Sequence, residues 1–126
     1  MKAVRNISLY FLFVVCLLLA VGCGKKADEN KPISEVKAEA EKMSAGDLRT
    51  MAMKYKEAIT AKNNEVEKLA TKLKEVPATE MLGEEAKGLK AETENLQKSI
   101  SALQERFKIY YEKLEEKGGD VSGLKI

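Results

Sequence analysis

The chain has 126 residues, enough for one small domain. It carries 22 Lys and Arg against 20 Asp and Glu, and it has no His and no Trp. This near-balance argues against nucleic acid, which calls for a basic patch or stripe, and the lack of His removes the commonest general base and metal ligand.

Lys2 and Arg5 open the chain, and Ile7 to Val21 is an apolar run broken only by Ser8. A basic start, an apolar middle of about 15 residues and small residues at the end make a secretory signal. A helix needs roughly 20 apolar residues to cross a bilayer. The run can be extended through Gly24, so length alone leaves a retained anchor open, and the site chemistry favours the signal. Ala20, Val21 and Gly22 precede Cys23, all of them small or β-branched, with the smallest residue next to the bond to be cut.

These four residues resemble the lipobox of bacterial lipoproteins, a resemblance confined to residues 1–24. That family more often has Leu where Ala20 stands, and here Leu19 lies one place earlier. The resemblance implies a diacylglyceryl group on the Cys23 thiol, cleavage between Gly22 and Cys23, and acylation (palmitate or a similar chain) of the new amino group. Gly24 and Lys25 take the sorting positions. The absence of Asp there implies the outer membrane, facing the periplasm, in a Gram-negative host; a Gram-positive host implies the outer face of the plasma membrane. Each buried methylene is worth about 0.8 kcal/mol and a single chain binds reversibly, so two or three chains would hold the protein at the membrane. Cys16 reads as a polarizable filler of the apolar run and leaves with the signal. Removing residues 1–22 takes Lys2 and Arg5 from the 22 basic residues and no acid, leaving 20 of each sign. Cys23 is then the one remaining thiol, so no disulfide framework is expected.

Residues 23–31 are polar and without apolar periodicity, which reads as a lipidated flexible tether. The helical domain is expected over 32–117, with helices at about 32–43, 45–76 and 80–117. Pro32 suits a first helical turn, and Ile33, Val36, Ala40 and Met43 follow at helical spacing. Ser44 with Asp47 three residues on is a weak capping box. Gly46 and a slip in apolar phase mark a break there, although a continuous helix with a stutter fits the same residues. Leu48, Ala52, Tyr55, Ile59, Lys62, Val66, Leu69, Leu73 and Val76 then alternate spacings of four and three, the mark of a coiled-coil seam. Pro77 ends it, and Thr79 is the expected cap of the next helix. Leu82, Ala86, Leu89, Thr93, Leu96, Ile100, Leu103, Phe107, Tyr110 and Leu114 form a second seam. Gly118-Gly119 is a stop signal, and residues 118–126 read as a flexible tail in which Val121, Leu124 and Ile126 are able to tuck back.

Two seams of equal length joined by a few residues predict an all-α fold, an antiparallel coiled-coil helical hairpin. At its open end Met51, Met53, Ile109, Tyr110 and Tyr111 widen the apolar stripe. Two readings compete for them: cover by the short 32–43 helix, which would make a three-helix bundle, or a surface for a partner. No nucleophile–base pair, phosphate loop or metal-ligand spacing appears, so the protein is expected to be non-enzymatic, with no cofactor, metal or small-molecule substrate. The expected function is a membrane-anchored envelope lipoprotein acting as a coiled-coil interaction or scaffold module, bound to the membrane through Cys23 and to an envelope protein or a second copy. The alternative is a periplasmic chaperone or inhibitor that grips a client through the Met- and Tyr-rich end. A cross-linked wall spacer fits less well, because Lys125 is followed by Ile126.

Overall fold

The structure is a computed structural model that describes residues 26–126. All regular structure among these residues is helical: α1 (Ile33–Lys42), α2 (Ala45–Glu75), a 3₁₀ turn (Ala78–Glu80) and α3 (Glu84–Glu116). The long helices α2 and α3 pack on each other and α1 packs on α3. At 31 and 33 residues, the long helices run about 46 and 50 Å.

Local chemistry sets most boundaries where the sequence puts them. Pro32 precedes α1, and its carbonyl accepts from the amides of Glu35 and Val36 at 3.0 Å. Met43 turns to an extended conformation. The Ser44 hydroxyl accepts from the Asp47 amide at 3.2 Å and caps α2, so the break expected at residues 44–47 is real. At the far end of α3, the Gly118 amide donates to Glu115 O and the Gly119 amide to Leu114 O, both at 2.9 Å. This pair is a Schellman motif, with Gly118 in the left-handed region at φ +68°. Gly119 lacks a side chain for a different reason: a Cβ there would lie 2.2 Å from Leu114 Cδ1 and 3.2 Å from Ala45 Cβ.

The start of the last helix differs from expectation. It begins at Glu84 rather than residue 80, and Gly83, not Thr79, occupies the cap position. After Pro77 the chain continues in tight turns, with the Glu80 amide bonded to Pro77 O and the Gly83 amide to Glu80 O, each at 2.8 Å. Leu82 therefore sits in a turn, out of helical phase, and is 84% exposed instead of sealing the seam. Met81 is half-buried beside it.

The remaining seam positions are the ones that lose solvent. Between residues 61 and 76 the residues that are not exposed are Lys62, Val66, Leu69, Leu73 and Val76, all seam members. Thr93 satisfies its hydroxyl on Leu89 O at 2.8 Å, which lets a polar residue sit in the second seam. Burial then deepens toward one end. Leu48, Ala52, Tyr55, Tyr110 and Leu114 are fully buried there, together with Val36 and Ala40 of α1 and Leu124 of the tail.

Two segments expected to be flexible are seated on that end. In the tail, Leu124 is fully buried, and Arg49 holds Asp120 O at 2.5 Å and Ser122 O at 2.9 Å. Lys56 donates to Gly123 O, and the Asp120 carboxylate accepts from the Ser122 amide at 2.9 Å. The tail packs because Leu124, an apolar residue eight positions past the helix end at Glu116, falls back onto the core. The described part of the tether, residues 26–31, is held as well. Ala27 packs against the core, and Tyr55 and Arg106 grip the backbone of Asp28 and Lys31.

Candidate functional site

The lipidation and cleavage residues Cys23 and Gly22, and the sorting residues Gly24 and Lys25, lie outside the described residues. The candidate interaction surface lies within them, and the structure divides it. Met51 is only 5% exposed and Tyr110 is fully buried, so neither offers a surface. Ile109 and Tyr111 are half-buried and pack against the core, while Met53 is exposed. Of the two readings open in the sequence, internal cover accounts for most of this stripe.

The cover comes from both flanks of α3. On one flank α1 meets Ile109, and Lys113 of α3 forms an ion pair with Glu41 at 2.6 Å. Lys117 donates to the Glu41 and Met43 carbonyls, capping the end of α1 from a neighbouring helix. On the other flank the tail lies along Phe107 and Tyr111, whose rings are 5.8 Å apart. An open groove of about 350 Å³ remains there, lined mainly by Phe107, Tyr111, Leu124 and Ile126, with Lys108 and Lys125 on its rim. Lys108 is paired with Glu112 at 3.6 Å.

At the centre, the Tyr55 and Tyr110 rings pack tilted by 31° with centroids 5.4 Å apart. The Tyr55 hydroxyl accepts from the Asp28 amide at 3.1 Å and donates to the Asp28 carbonyl at 3.2 Å. Burial, with Tyr55, Glu39 and Glu35 nearby, drives the Tyr110 hydroxyl pKa well above the usual phenol range. Arg106 is 8% exposed. Its Nε and Nη2 donate to Lys31 O at 2.9 and 2.6 Å, and its Nη1 to Ala102 O at 2.8 Å. Lys31 forms an ion pair with Glu39 of α1.

Leu124 is the member of the tail's three apolar residues that is fully buried, whereas Arg106 and the Tyr55 hydroxyl carry no signal in the sequence. Arg106 stands one place before the seam residue Phe107, where a charged residue ordinarily faces water, and no local pattern signals that its target is a backbone carbonyl 75 residues away.

The ionisable groups at the surface form ordinary pairs. The Lys113 ammonium, through its hydrogen bond and charge, holds the Glu41 carboxyl below the usual range, and Glu116 and Glu41 raise Lys113. Hydrogen bonds from Ser122, then the charge of Arg49, lower Asp120. Among the described residues no group of three or more His, Cys, Asp or Glu is arranged to hold a metal, and no helix is long and apolar enough to cross a membrane. No protein family, curated protein or solved structure matches this chain.

Proposed function

We propose that the protein is a membrane-anchored envelope lipoprotein, non-enzymatic, whose body is an antiparallel coiled-coil hairpin that serves as an interaction or scaffold module. The start of α2 lies beside the end of α3, as Ala45 near Gly119 and Arg49 on Asp120 indicate, and this supports the antiparallel pairing. The lipobox-like residues before Cys23 support the anchor.

The observation that carries the scaffold reading is the division of the molecule. The core residues Val36 to Ile59 and Ile100 to Leu124 are gathered at one end, and beyond them a two-helix arm spans Lys62 to Leu96. Most of the arm's seam is half-buried and its flanks are charged, a shape suited to presenting an elongated surface rather than to enclosing a substrate. The chaperone or inhibitor reading needs Met51 and Tyr110 to meet a client, and both lie beneath other parts of the chain.

Photo-crosslinking in cells from Glu85 and Lys90, exposed on the arm, tests the module. One recurrent envelope neighbour, or a second copy of this chain, is the expected product. A broad spread of unrelated clients, or crosslinks only from the opposite end, would count against it.

A further inference from the structure

We propose that Tyr55 and Arg106 clamp the segment that follows Cys23 onto the helical body, and so hold the flank carrying residues 28–31 against the phospholipid headgroup layer. This rests on the lipoprotein reading and adds an orientation to it. Both clamps act on the backbone. Tyr55 makes two hydrogen bonds to Asp28, at 3.1 and 3.2 Å. Arg106 makes two to Lys31 O, at 2.9 and 2.6 Å. The Asn30 amide closes a turn on the Asp28 carboxylate at 2.8 Å, and Ala27 packs on the core between clamp and anchor. A buried guanidinium gripping a main-chain carbonyl fixes where the chain leaves the body, whatever side chains the segment carries.

Chain length turns this into a distance. From Cys23 to the clamped Asp28 is five residue steps, at most about 18 Å; without the clamps the first fixed residue would be Ile33, ten steps and about 36 Å away. Tyr55 lies ten residues into α2, about 15 Å from the helix start. A body standing upright on the end where α2 begins would use almost the whole reach of the tether. Lying on the clamped flank it needs little of it, and brings the exposed Lys26 to the headgroups, where anionic lipids attract it.

The test uses the full, lipidated protein in phosphatidylethanolamine–phosphatidylglycerol vesicles that carry nitroxide-labelled headgroups. A fluorophore is attached through Glu105→Cys, an exposed position one residue before Arg106. The label should be strongly quenched. A ten-residue Gly-Ser insertion between residues 26 and 27 leaves every clamp contact in place and should lower quenching by at least about twofold, as the reach more than doubles. Tyr55→Phe with Arg106→Ala should lower it in the same direction; if that variant unfolds, the insertion alone decides. Vesicle-bound protein whose Glu105→Cys label is weakly quenched, or quenched equally with and without the insertion, overturns the clamp. Protein that does not float with the vesicles and has an unacylated Cys23 overturns the lipoprotein reading and the clamp together.

Discussion

Arg106 illustrates how much of this fold is decided by single polar contacts. Its side chain is buried beneath the segment before α1, and the bonds it makes are to carbonyls of Lys31 and Ala102. Hydrogen bonds from charged groups contribute more than neutral ones, so Arg106→Ala is expected to destabilise the protein by about 2 kcal/mol, read as a lower urea midpoint. Arg106→Lys should recover only part of this, because an ammonium lacks the two-pronged geometry. The exposed carboxylates give a pH signature of definite sign. Glu41 and Asp120 have folded-state pKa values below their unfolded ones, Glu41 through Lys113 and Asp120 through Ser122 and Arg49. Their contribution is present above the ordinary carboxylate range and lost as pH falls through about 4 and below. The thermal midpoint should therefore drop on acidification, and Glu41→Gln should flatten that drop at its acid end.

At the scale of elements, the helices were legible wherever periodicity and punctuation agreed. The four–three spacing from Leu48 to Val76 gave the buried face of α2, and Ser44, Pro77 and Gly118-Gly119 gave its limits and the end of α3. The rule failed at Leu82, which continues the spacing of α3 on paper but lies in the turns after Pro77. Periodicity does not reveal that the backbone there follows i to i+3 bonds. The site was less legible than the helices. Met51 and Tyr110 were rightly read as part of an apolar stripe, but which element covers them depends on contacts between residues distant in the chain. The tail was read as flexible, with Val121, Leu124 and Ile126 able to tuck back, because its nine residues have no helical or strand period; of these Leu124 is fully buried. Leu124→Ala tests its role. The leucine is fully buried, so the change should cost about 2–4 kcal/mol by chemical denaturation. A truly frayed tail would lose nothing measurable.

On the scale of the whole molecule, cover is distributed unevenly. Near Tyr55 and Tyr110 the long helices are wrapped by α1 on one flank and by the tail on the other; toward Pro77 they have only each other. Local opening follows burial and contact density. Amide hydrogen exchange should thus show the greatest protection in the central turns around Ile59 and Leu103. Protection should fall through Val66 and Leu96 toward the turn at residues 77–83. A uniform profile along both helices would mean that the arm and the covered end unfold as one unit. The same asymmetry underlies the proposed function, in which the clamped flank of the covered end lies by the membrane and the arm is offered to a partner. The proposed function depends first on Cys23 being the anchored residue. The most direct measurement is mass spectrometry of the N-terminal peptide of the protein, purified from the membranes of an export-competent bacterium. The expected peptide begins at Cys23 and carries a diacylglyceryl group. A peptide that begins at Met1, or one cleaved elsewhere that contains an unmodified Cys23 thiol, would contradict it.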